Sequence, residues 1–195
     1  MIKLIFPLFS FFIIVAYSTN SHAEVVIKNY FAKDYKTAKN AVNRMRFESK
    51  STKLGFITTD FDGFAKNFTL SYNLNKNILD QIKIKIDAKS FDTSSDARND
   101  KMNELCLESQ KYPEINGTIA ESVELNVKDH DLVVDFIVKD QPRKMPVKLI
   151  SEKNGDHYKL TILGSFSLKD WKIPDPSIAI AKVRDQFDLI FETII

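Results

Sequence analysis

From Phe47 onward, apolar and polar side chains alternate with a period of two along most of the chain. Leu54, Phe56 and Thr58 open the series. Phe68, Leu70, Tyr72 and Leu74 alternate with Thr69, Ser71 and Asn73. Ile82, Ile84, Ile86 and Ala88 alternate with Lys83, Lys85 and Asp87. The pattern resumes at Val123–Val127, at Leu132, Val134, Phe136 and Val138, and at Met145, Val147 and Leu149. Tyr158, Leu160 and Ile162 continue it through Gly164, Phe166 and Leu168, and Val183 to Ile195 ends it with Phe187, Leu189 and Phe191. In a strand, successive side chains point to opposite faces, so this pattern predicts half-buried strands with one wet face. Turn residues separate the runs: Asp62-Gly63, Asn75-Lys76-Asn77, Asp129-His130-Asp131 and Asn154-Gly155-Asp156. They divide the chain into about eight strands.

Two stretches depart from the period of two. Asp34 to Met45 carries Tyr35, Ala38, Val42 and Met45 near helical spacing behind an Asp34 N-cap, which predicts a short helix. Ile86 to Thr118 leaves a strand, turns through Asp92–Asp96 and runs a short helix over residues 96–108. It returns to extended chain at Tyr112-Pro113. Asp92, Thr93, Ser94 and Asp96 are suited to cap that helix.

Amphipathic antiparallel strands in this number either stack as two sheets or close on themselves, and closure removes exposed edges. The expected fold class is therefore all-β, an antiparallel eight-stranded β-barrel with a helical insertion around residues 96–108. An eight-stranded interior holds packed side chains or one slender ligand. The candidate interior residues are Phe56, Phe68, Leu70, Tyr72, Ile84, Ile86, Phe136, Val138, Leu160, Ile162, Phe187, Leu189 and Phe191. From the residues alone, a solid core and a ligand tunnel both remain open.

Residues 1–23 belong to a different kind of segment. Lys3 supplies a positive start, Leu4 to Tyr17 is an apolar run of 14 residues, and Ser21-His22-Ala23 forms a small-x-small cleavage site. Those three parts predict a secretory signal peptide. The run falls short of the ~20 residues that span a bilayer. Export to the periplasm or outside the cell is the expectation, with residues 24–195 as one soluble domain carrying no stable membrane anchor.

Beyond residue 23, 27 Lys and Arg face 26 Asp and Glu. That balance argues against a nucleic-acid groove, which needs a basic face. Cys106 is the only cysteine and sits between Leu105 and Leu107, as a buried hydrophobe would. His130 and His157 stand apart, so no transition-metal site or other cofactor is expected. No GxSxG, GxGxxG or P-loop pattern occurs.

Ser90-Phe91-Asp92-Thr93, Arg98 and Tyr112-Pro113 lie along one outgoing strand, turn, helix and returning strand. This stretch, Ile84 to Ile119, resembles the YceI-like family of exported lipid-binding proteins. Gln141 to Leu149 (QPRKMPVKL) and Gly164 to Ile173 (GSFSLKDWKI) are similar to two later family segments. The chain departs from the family with Arg98-Asn99-Asp100, Cys106-Leu107 and Asn116-Gly117-Thr118.

The resemblance implies a lipocalin-like barrel with an elongated apolar tunnel. Its ligand would be a long isoprenoid, such as a quinone or prenyl phosphate, or another amphipathic lipid. The thirteen interior residues would line the tunnel. Arg98 would either hold a polar head or pair with Asp87 or Asp92 to pin the helix. A homodimer is compatible with this reading. Two readings of other classes stand beside it: a lipid-independent module showing its loops to a protein partner in the cell envelope, and an enzyme acting on a barrel-held substrate.

Overall fold

The computed structural model describes residues 24–195; the expected export signal at residues 1–23 lies outside them. In chain order the elements are β1 (Glu24–Phe31), α1 (Tyr35–Asn40), β2 (Arg44–Lys53), β3 (Ile57–Ala65), β4 (Asn67–Asn75) and β5 (Ile78–Asp87). There follow β6 (Phe91–Asp92), α2 (Asp96–Lys101), β7 (Glu114–Ile119), β8 (Val123–Glu124) and β9 (Asp129–Val138). β10 (Gln141–Asn154), β11 (His157–Ser167), β12 (Ala181–Val183) and β13 (Gln186–Ile194) complete the chain.

All thirteen strands join one antiparallel sheet, ordered β1-β4-β5-β7-β9-β10-β11-β13-β2-β3-β6, with β8 added to β5 and β12 to β2. The sheet curls into a half-barrel. Its two ends meet at the corner where β3 runs into β4. There the Lys66 carbonyl accepts from the Ala32 N–H (2.8 Å), and the Lys66 N–H donates to the Ser90 carbonyl (3.2 Å). One residue thus fastens the chain beyond β1 to the chain before β6.

The all-β class and barrel-type curl agree with the reading from alternation, but the strand count differs. β2 falls partly where a helix was expected: α1 stops at Asn40, and Met45 belongs to the sheet. The period of two in β2 is masked because its alternate positions run Met45, Phe47, Ser49 and Ser51. The strand expected over 54–59 instead contains the β2–β3 turn, at Leu54-Gly55. Asp62-Gly63 is no turn but lies inside β3. Glycine is needed there because an added Cβ would fall into the Phe47 ring. Asp129-His130-Asp131 likewise begins β9 rather than turning the chain.

The helical insertion forms where expected. α2 continues into one π turn over Met102–Cys106. Its entry is tied by Asn99, whose Oδ1 accepts from the Thr93 N–H (2.9 Å) and whose Nδ2 donates to Asp92 (3.1 Å). The expected caps therefore work differently. Ser95 occupies the N-cap with no side-chain hydrogen bond, while Asp92 receives the Ser94 N–H, Asn99 and Lys66. Burial alone would raise the Asp92 carboxyl, but these donors outweigh it and hold its pKa below the usual value. Elsewhere, α1 lies on the outer face of β3, packing Ala38 and Tyr35 against Phe64.

Candidate functional site

The interior is hollow at one end and solid at the other. A cavity of about 470 Å³ opens beside α2 and the β2–β3 turn. Its floor crosses the strands at one level. On β5, Ile86 lines the cavity and Ile84 does not; on β7 the boundary falls between Ile115 and Gly117. On β9 it falls between Phe136 and Val134, and on β13 between Leu189 and Phe191. Gly117 helps set that level. A Cβ there would stand 2.8 Å from the Phe136 ring and 2.9 Å from Ile84, so the missing side chain gives Phe136 its place on the floor.

Below this level the interior is filled. Tyr30 stacks on Phe68 (centroids 4.7 Å), and Phe68 meets Phe191 edge-on at 5.8 Å. Tyr72 is buried, and burial pushes its hydroxyl up to about 12.

The cavity wall is a connected run of aromatic rings. Phe136 lies 5.8 Å from Trp171, which stacks on Phe166 at 4.4 Å; Phe166 stacks on Phe187 at 5.6 Å. Phe187 reaches Phe47 (5.7 Å) and Phe61 (6.2 Å), and Phe47 reaches Phe91 (5.8 Å). Aromatic pairs at such distances stabilise one another, so the wall is a mutually supporting apolar surface. Met102, Cys106 and Leu107 of the helical insertion complete it. Cys106 is buried, donates to the Pro174 carbonyl (3.6 Å), and has its thiol pushed up to about 11 by burial.

The rim carries charge of one sign. Lys53, Arg98 and Lys101 line the cavity, and no carboxylate does so among the described residues. Arg98 pairs with neither Asp87 nor Asp92, which corrects that half of the expectation. Lys66 takes Asp92 at 3.1 Å, and Asp87 accepts from the Lys89 N–H. The Arg98 guanidinium instead lies 4.4 Å above the Phe61 ring and donates to the Thr93 carbonyl at 3.4 Å. Burial lowers its pKa from the ordinary value, but an arginine remains a cation at any physiological pH.

Of the thirteen side chains expected inside, Ile86, Phe136, Val138, Phe187 and Leu189 line the cavity, with Arg98 at its rim. Phe68, Leu70, Tyr72, Ile84, Leu160, Ile162 and Phe191 belong to the filled end instead. Their side chains follow the alternation, but they lie too far along the axis to reach the hollow. Phe56 is a plain correction: it is 75% exposed beyond the β2–β3 turn, because Leu54-Gly55 reverses the chain before Phe56 can enter the sheet. Phe47, Phe61, Phe91, Phe166 and Trp171 line the cavity and were absent from the expected set. Phe166 is in phase with the β11 alternation and belonged in the expected set on that ground, whereas Trp171 lies in the turn after β11, where no alternation could signal it. Among the described residues, no group of three or more His, Cys, Asp or Glu side chains could hold a metal ion.

The profile of the YceI-like domain matches residues 35–194. This chain belongs to the YceI-like family. BcnA of Burkholderia cenocepacia has a similar fold, with a TM-score of 0.62 at 13% identity over 77% of this chain and 96% of that one. A polyisoprenoid binding domain from Saccharophagus degradans gives 0.55 at 12% identity over 78% and 97%. The YceI protein of Campylobacter jejuni gives 0.59 at 13% identity over 68% and 82%. No curated protein sequence matched. In this YceI-like chain Phe91, Thr93 and Arg98, from the stretch that carries the resemblance, line the cavity.

Proposed function

We propose that this YceI-like chain is an exported, periplasmic or secreted binding protein for an amphipathic lipid of the isoprenoid type. The tail enters the aromatic cavity, and the head stays among Lys53, Arg98 and Lys101. The observation that carries this reading is the pairing of an aromatic wall with a rim that bears cations and no carboxylate among the described residues. The polyisoprenoid binding domain of Saccharophagus degradans, with its similar fold, supports the choice of ligand class.

Volume limits the guest. A methylene occupies about as much space as a liquid water molecule, ~30 Å³, so 470 Å³ takes roughly 15 carbons. Their burial is worth about 12 kcal/mol gross, at ~0.8 kcal/mol per group. Association and ordering cost about 4–15 kcal/mol, so net affinity depends on the head as well. A guanidinium and two ammonium groups favour a phosphate or carboxylate over a neutral quinone. Binding and release suffice for this role, without turnover.

Solvent extraction of freshly purified protein followed by mass spectrometry tests the reading. The expected result is a stoichiometric anionic amphiphile with about 15 buried carbons. Protein that is always empty, and that takes up no fluorescent anionic amphiphile, overturns it.

A further inference from the structure

Five large apolar side chains stand in water around the cavity opening. Leu54, Phe56 and Ile57 form the β2–β3 tip; Ile178 and Ile180 form the tight turn before β12. The two tips are joined, since the Leu54 N–H donates to the Ile180 carbonyl (2.9 Å) and β12 pairs with the end of β2. The lip is continuous with the cavity, because Ile178 is at once 48% exposed and part of the lining.

Neither burial nor local backbone preference accounts for it. Leu54 has a φ of 51°, a left-handed backbone that a leucine adopts only at a cost, and it is 64% exposed. Asn or Gly would suit that turn position better. Exposed apolar groups gathered in one place mark a surface that meets something apolar.

Charge narrows the choice. Lys53, Lys101 and Lys182 flank the lip and cavity and form no ion pair among the described residues. Of the carboxylates beside the two tips, Asp60 pairs with Lys50 (3.4 Å) and Asp175 accepts from the Ser177 N–H (2.8 Å); Asp96, Asp100 and Glu104 lie on the helical insertion, and none of them lines the cavity. Apolar tips flanked by free ammonium groups suit an anionic bilayer surface: the tips enter the headgroup boundary while the lysines meet lipid phosphates.

We infer that the lip docks the cavity mouth onto the surface of an anionic phospholipid bilayer, so that a guest passes between bilayer and cavity without crossing water. This rests on the lipid-binding reading above. The docking surface itself is carried by the exposed tips and their charge.

Sedimentation with vesicles of phosphatidylethanolamine and phosphatidylglycerol tests it. Wild-type protein should pellet with these vesicles and far less with phosphatidylcholine alone. Phe56→Ser and Ile180→Ser should each lower the partition coefficient about tenfold, as expected for removing one large apolar group from the boundary. Both positions are exposed, and circular dichroism is to be used to check the fold of each variant. Ile27→Ser, an equally exposed change on β1 beside the filled end, should leave partitioning unchanged.

Lip variants that pellet like wild type overturn the proposal. So does a wild-type dimer in solution that the same variants dissolve, since a second copy would then cover the lip. Uptake of a fluorescent anionic amphiphile from vesicle-free solution separates the two readings. Lip variants should retain it, whereas wild-type protein that pellets with vesicles but takes up no probe removes the lipid-binding reading and leaves the docking surface standing.

Discussion

Arg98 stands where the apolar wall meets the charged rim, and its neighbours define its work. Stacking on Phe61 fixes the guanidinium plane, and the Thr93 carbonyl takes one N–H. The remaining donors are free for a planar two-oxygen group, which a lysine ammonium cannot match in geometry. Arg98→Ala should weaken an anionic-headed amphiphile about tenfold, the scale of one charge-assisted hydrogen bond, and hardly affect a neutral-headed one of equal tail. Titration of the two probes against the variant checks this, and Arg98→Lys should restore little. Cys106 offers a second residue-scale measurement. With its thiol near 11 against an ordinary 9.0, its thiolate fraction at pH 8 is about 100-fold lower than for a free cysteine. Maleimide labelling at pH 8 should be slow, and slower again when the cavity is filled.

Among the elements, β5, β9 and β13 were legible because large apolar residues repeat at every second position, as Ile82, Ile84 and Ile86 do on β5 between lysines. β2 was not, since serines at its alternate positions hide the period. Gly63 misled for a related reason: Asp-Gly reads as a turn when its partner is unknown, yet here the partner is the Phe47 ring. The floor of the cavity is likewise a matter of one element facing another. Phe136→Ala should deepen the hollow and shift the preferred tail upward by about three or four carbons, counting ~30 Å³ for each. Gly117→Ala should push the Phe136 ring outward from its place and shift preference toward shorter tails. A displacement series of alkyl carboxylates of increasing length measures both shifts.

For the molecule as a whole, alternation tells which side chains face inward but not at what height the packing stops. That is why the barrel was legible and the position of the cavity was not: Phe68 and Phe136 carry the same signal in sequence and lie on opposite sides of the floor. Closure of the sheet also rests on pairs distant in the chain. Arg44 on β2 donates to Glu192 on β13 (2.5 Å), a hydrogen bond that holds the Glu192 carboxyl below its ordinary range. A carboxylate whose folded pKa is depressed contributes stability above its unfolded pKa, ~4.3, and loses it as the pH falls through the lower folded value. Glu192→Gln should therefore cost about 1 kcal/mol at pH 7, since the pair is partly exposed, and the gap from wild type should shrink below pH 4. Thermal melts at the two pH values check the sign.

The packing of Tyr30, Phe68 and Phe191 has a directional consequence. With that end stoppered, the hollow is a cul-de-sac, so a guest enters tail first and leaves head first by the same door. Two guests cannot pass each other inside, and every exchange must proceed through an empty protein. Adding a competitor in solution should therefore not hasten departure.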